Sequence, residues 1–182
     1  MEDTLSTLAK LRAVWISRLG DVKANLNRAL SFGDYIVDRW EKAEALGFGE
    51  GTSVYDSTII LGNVSVGENT WIGPFVVLDG SGKLRIGANC SISAGVQVYS
   101  HDSVQWAVSG GREPYEYAET EIGDNCYLGP NSIVAKGVKI GSGSVIGANS
   151  LVLKSIPAGS KAYGSPCRVV GMVQSASQGS EC

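Results

Sequence analysis

Histidine is almost missing from this chain: among 182 residues there is one, His101. A centre built on several imidazoles, such as the three-histidine zinc site of a hydratase, is therefore excluded. Cysteine is sparse. Cys90, Cys126, Cys167 and Cys182 form no C-x-x-C pair, so no zinc or redox site is expected and packing thiols are. Basic charge is not in excess: 15 Lys and Arg stand against 18 Asp and Glu, a net charge of −3, which argues against a nucleic-acid partner. No apolar run is long enough to span a bilayer. The opening "MEDTLSTLAK" lacks the basic flank and apolar stretch of a secretory leader. The expectation is a cytoplasmic protein of about one domain, long enough to bury a core.

Glycine, in contrast, is abundant, with 24 residues spread along the chain rather than gathered in a linker. That distribution points to a repeat. An aliphatic residue recurs at Val54, Ile60, Val66, Ile72 and Leu78, then at Ile86, Ile92 and Val98, then from Ile122 through Leu128, Val134, Ile140 and Ile146 to Val152. Within each block the spacing is six without error. The next position is often Gly, and the third position after the aliphatic is Asn or Gly in most repeats. The fourth, at positions such as Thr58, Val64, Cys90, Cys126 and Ser144, is small or β-branched.

A helix cannot carry this rhythm, because six is not a multiple of 3.6 and Gly or Asn in every turn would break it. Six is a multiple of two, so the first and fifth residues of each repeat share one face of an extended segment. Gly and Asn tolerate the bend that ends the segment. Each hexapeptide is then a short flat strand closed by a corner. Three make a triangular coil, and coils stack into a prism. The predicted fold class is an all-β solenoid of about five coils. An N-terminal helical segment spans 1–50, the solenoid 51–167 and a C-terminal tail 168–182. The final stretch, "SASQGSEC", reads as a disordered tail.

This pattern resembles the left-handed parallel β-helix of hexapeptide-repeat acyltransferases, and the resemblance covers residues 51–167. The left-handed winding is implied by that resemblance, since spacing alone does not reveal it.

The phase slips twice. Two extra residues lie between Leu78 and Ile86, in "LDGSGKLRI", and eighteen lie between Val98 and Ile122. The longer insertion gives one excursion loop over 102–121, and long excursions from a rigid scaffold tend to carry function. Counting three strands to a coil puts Leu78 directly beneath Val98. The "DGSG" corner then lies under the "YSHD" corner at about one strand spacing, ~5 Å. Both defects meet at one edge, next to His101.

In the family, a His at the base of such a loop is the general base, and "VYSHDS" before "IGDNCYLGP" matches that placement. The resemblance therefore implies acetyl transfer from acetyl-CoA, with His101 catalytic and no metal. Imidazole suits the task because its titration range brackets neutrality. Asp79, Asp102 and Glu121 are candidates to orient it, and Asp79 could instead bind an acceptor's hydroxyls. Trp106, Tyr115 and Tyr117 could stack on a sugar or anchor the loop. Backbone amides near Gly129 are candidate donors for the oxyanion.

The family lays coenzyme A along the groove between neighbouring prisms, which implies a homotrimer. Matching "IGANSLVLKSIPAGSKAYGSPCR" to the family's closing segment puts Ala148 on the pantetheine arm, Lys154 near the phosphate end and Arg168 on the nucleotide phosphates. Two positions depart from the pattern: Gly171 where a second basic residue is common, and Pro130 where some relatives have Ser.

"FGDYIVDRW", "TWIGPFVVLDGSGKL" and "YSHDSVQWAVSGG" resemble the branch that modifies bacterial surface polysaccharides. The implied reaction is O-acetylation of a sugar. N-acetylation of a nucleotide-linked aminosugar and a non-catalytic scaffold remain open. At the N-terminus, Leu5, Leu8, Leu11, Trp15, Ile16 and Leu19 keep helical spacing, with Gly20 as the expected stop. A second helix is expected from Asp34, as cap, to Gly47. Burying one open end of the prism is the simplest purpose for these helices.

Overall fold

The computed structural model describes residues 2–174, so "SASQGSEC" and Cys182 lie outside the described residues. The repeat region winds as a three-faced prism of parallel strands. The first face stacks Ser53–Val54, Trp71–Ile72, Ser91–Ile92, Tyr127–Leu128, Val145–Ile146 and Ser160–Tyr163. The second stacks residues 59–60, 77–78, Gln97–Val98, Ile133–Val134 and Leu151–Val152. The third stacks residues 65–66, 84–86, Thr120–Ile122, Lys139–Ile140 and a bridge at Ile156.

The first face therefore has six levels, where the hexapeptide count led to about five coils. The third face closes the fifth coil with Ile156, only four positions after Val152, and so outside the six-residue count. The sixth level of the first face is the start of one further turn, through the small Ala162, which pairs with Ile146, so about five coils describes the prism. Regular structure also runs past residue 167: Arg168–Met172 pairs antiparallel with Ser160–Tyr163.

The six-spaced aliphatics fill the axis. Ile72, Ile92, Leu128 and Ile146 stack on successive coils, and all four are completely buried. Each contributes about 1.5–3 kcal/mol of burial. The repeat glycines and asparagines do two different jobs. Asn69, Asn89, Asn125, Asn131 and Asn149, with Gly95, Gly137 and Gly143, sit at φ between +52° and +74° and turn the corners. The glycines directly after the aliphatics do not have positive φ; they are there for space. A Cβ on Gly129 would lie 2.5 Å from the amide nitrogen of Ala148, one coil on.

The small fifth residues of each repeat lock coils together. Thr58 donates to the Gly73 carbonyl at 2.9 Å and Thr70 to that of Gly87 at 3.0 Å. The Cys90 and Cys126 thiols occupy the same slot, donating to Gly123 and Gly141 at 3.2 and 3.4 Å. These cysteines are thus packing residues. The neighbouring Cys126 thiol and burial together push the Cys90 thiol far up, so it stays protonated.

At the N-terminus, one helix spans Glu2–Leu26 and passes through Gly20 without stopping. The expected second helix is split into Gly33–Ile36 and Arg39–Ala45. Its cap is Asp38, which accepts from the amides of Trp40 and Glu41, while Asp34 instead accepts from the Asp56 amide at 2.8 Å. This second segment closes the prism: Ala43 and Phe48 join Val54 and Val66 in the core. Among the described residues, no helix is long and apolar enough to cross a membrane.

Candidate active site

Two local features bring the site together. The corner 79–83 carries two residues more than a regular repeat, and the strand Val77–Ile86 runs through it, with a register shift against residues 59–66. It rises to the coil above, where the Gly82 amide donates to the Ser100 hydroxyl at 2.8 Å. That approach requires glycine, since a Cβ on Gly82 would sit 2.3 Å from the Ser100 carbonyl oxygen. On the coil above, the chain leaves the second face at Val98, and His101–Asp102 pairs antiparallel with Glu116–Tyr117. This ribbon is the root of the excursion, and the short helix Val104–Val108 lies inside it.

Leu78 pairs with Val98, as the coil count requires. The consequence is a direct bond between His101 Nδ1 and Asp79 Oδ2. Asp79 has no exposed surface at all. Its other contacts come from the Ser81 hydroxyl at 2.6 Å, the Ser81 amide at 3.0 Å and the Ser100 amide at 3.2 Å. Burial pushes this carboxyl up, but the bonds from Ser81, His101 and Ser100 outweigh it and hold it below the ordinary carboxylate value. Full burial removes Asp79 from contact with an acceptor and leaves it the place behind the imidazole. An ionised Asp79 accepts from Nδ1–H, which leaves the lone pair on Nε2.

In front of the imidazole is an open cavity of about 380 Å³ lined by Tyr99, His101, Asp102, Val104, Ile133 and Lys136, among others. The Tyr115 and Tyr117 rings stack beside His101 at 6.2 and 5.8 Å, each inclined by 23°. Trp106 meets Tyr115 edge-on at 5.6 Å. The aromatics expected to act on a sugar are therefore gathered at the imidazole, and they also brace one another.

The other candidate orienting groups are engaged elsewhere. Asp102 bonds to Lys136, and Glu121 pairs with Arg85 and Lys139 on the third face. Lys136 drew no attention in the sequence, because an outward lysine in "VAKGVK" carries no signal of its own.

Gly129 and Ala148 stack on each other at the corner after the first face. His101 is at the corner after the second, so one face of the prism separates them. The Gly129 amide donates to the Ile146 carbonyl at 2.8 Å and the Asn131 amide to that of Ala94 at 3.0 Å. Neither is free to meet an oxyanion, and Pro130 between them has no N–H. Lys154 follows Val152, which stacks over Val134 and Val98, so it lies on the His101 edge two coils further on. Lys154 and Arg168 line one shallow cavity of about 270 Å³. Among the described residues, no group of three His, Cys, Asp or Glu is placed to hold a metal.

Residues 119–154 match the family model described as bacterial transferase hexapeptide (six repeats). A search of curated proteins finds no match. Among solved structures, a maltose O-acetyltransferase from Clostridium difficile 630 is 28% identical, with TM-score 0.58, over 91% of this chain and 89% of that one. A hexapeptide-repeat containing acetyltransferase from Vibrio cholerae is 21% identical, with TM-score 0.57, over 91% and 94%. A mutant of AntD, an N-acyltransferase from Bacillus cereus, in complex with dTDP and coenzyme A, is 23% identical, with TM-score 0.57, over 74% and 89%. Residues 119–154 thus carry the repeat that the family model describes, and the prism is similar in fold to those of these solved acetyl- and acyltransferases.

Proposed function

We propose that the protein transfers an acetyl group from acetyl-CoA to a sugar hydroxyl, with His101 as general base, in the cytoplasmic stages of surface-polysaccharide synthesis. The observation that carries this reading is the buried Asp79 behind His101, with the cavity in front. His101 Nε2 takes the proton of the acceptor hydroxyl as its oxygen bonds to the acetyl carbonyl carbon. The same nitrogen returns that proton to sulfur as the carbon–sulfur bond breaks. Such a base is worth about 10²–10⁴ in rate. Trp106 and Tyr115 offer aromatic faces to the acceptor ring.

Coenzyme A needs cations for its phosphates, and Lys154 and Arg168 stand together near the last coil. Ala148 and Gly129 lie a face away from His101. In this reading the cofactor's arm lies between His101 on one copy and that corner on a neighbour, in a homotrimer in which each groove is shared. The 28% identical relative, named for O-acetylation of maltose, supports a hydroxyl acceptor.

The test is release of free coenzyme A with matched hydroxy- and amino-sugars, free and nucleotide-linked. Faster turnover with the hydroxy-sugars supports the proposal, whereas preference for amino-sugars assigns N-acetylation. His101→Ala is expected to lose transfer while keeping coenzyme A binding and the trimer. Unchanged turnover in that variant would leave a scaffold or another base.

A further inference from the structure

Lys136 comes from the coil above His101: it follows Val134, which pairs with Val98. Its ammonium reaches Asp102 Oδ2 and Glu116 Oε2, each at 2.5 Å. These two carboxylates face each other on opposite strands of the ribbon, as Asp102 pairs with Glu116 and His101 with Tyr117. One lysine thus joins the outgoing and returning strands at the step next to the imidazole. Its side chain is 21% exposed and lines the same cavity as His101. We propose that Lys136 is a positioning residue for His101. It pins the ribbon that carries the imidazole and cancels the charge of the two carboxylates beside it.

The role rests on the acetyl transfer proposed above. Several groups face the imidazole. Asp79 approaches from the coil below and Asp102 is adjacent in the chain. Tyr115, Glu116 and Tyr117 come from the returning strand, and Lys136 from the coil above. With Lys136 in place, Asp79 is the one carboxylate of this group without a cation. Without it, Asp102 and Glu116 turn their charge on the imidazole as well and favour its protonated form. A base held protonated at neutral pH cannot accept a proton. Asp102 is held below its ordinary value chiefly by Lys136, and Lys136 above its own by Asp102 and Glu116.

Because His101 is the only histidine, its ring can be titrated directly by NMR in the intact protein, with no need for turnover. Lys136→Met is expected to raise the His101 midpoint by about one pH unit relative to wild type. Lys136→Arg keeps the cation and is expected to keep the wild-type midpoint. The double variant Lys136→Met with Glu116→Gln removes one of the two exposed charges and should fall between. An unmoved midpoint in Lys136→Met overturns the proposal, as does a shift in Lys136→Arg equal to that in Lys136→Met. The readout separates this inference from the functional one. If His101→Ala keeps full turnover, the base assignment fails while the titration result stands.

Discussion

His101 and Asp79 are 22 positions apart in the chain, yet their side chains bond directly across adjacent coils. The contact exists because one coil stacks on another at a spacing of about 5 Å, and because both coils depart from the regular repeat at the same edge. The carboxylate holds the ring from inside the prism, and accepting from Nδ1–H leaves the lone pair on the opposite nitrogen.

Asp79→Asn keeps the shape but loses the charge, and an amide can present either its oxygen or its nitrogen to the ring. Turnover is expected to fall on the order of 10²-fold, with KM for acetyl-CoA little changed. Steady-state kinetics check this. A wild-type kcat in Asp79→Asn would show that the carboxylate is a structural cap for its corner and nothing more.

The same carboxyl ties stability to pH. It is held below its ordinary value in the fold, so the ionised form stabilises the protein above about pH 4. That contribution is lost as pH falls through the lower folded value. Thermal melts of wild type and Asp79→Asn from pH 7 to pH 3 should show a gap that narrows below about pH 4. A gap constant across the range would mean that ionised Asp79 gains nothing from its partners.

Gly129→Ala tests the stacked corner. The added carbon meets the Ala148 amide nitrogen at 2.5 Å, and backbone cannot move aside cheaply. The expected cost is about 1–3 kcal/mol, seen as a melting point lower by several degrees. Gly20→Ala is the control, since nothing lies within 4 Å of that position. It should leave the melting point unchanged or raise it, because helix Glu2–Leu26 continues through it.

Lys154→Ala and Arg168→Ala address the cofactor's phosphates. Each is expected to weaken coenzyme A binding by about tenfold and to flatten its dependence on salt. The kcat at saturation should hold. Isothermal titration at two ionic strengths gives both numbers. Equal affinity for coenzyme A and dephospho-coenzyme A in wild type would remove Arg168 from the nucleotide end.

Much of this was legible beforehand for one reason: a β-solenoid repeats, so sequence spacing is spatial spacing. The aliphatics at 72, 92, 128 and 146 name the core, and counting strands puts Leu78 under Val98. The closing strands escaped because Ile156 comes only four positions after Val152 and the next inward residue is the small Ala162. The helix boundaries escaped because isolated Gly20 is tolerated and Asp34 found a tertiary partner in Asp56 instead of capping. The amides near Gly129 are candidate donors by sequence, yet that of Gly129 bonds to the coil above, a contact that no local pattern reveals.

The sequence by itself determined the prism, its axis and the edge where its defects meet, because a periodic chain leaves only one way to bury its periodic residues. Only the tertiary structure decided which of three carboxylates bonds to His101, that Lys136 ties the ribbon, and that Gly129 and Ala148 stand a face away. Those outcomes depend on which side chains meet at a corner once insertions bend the backbone. An insertion has no period from which to count.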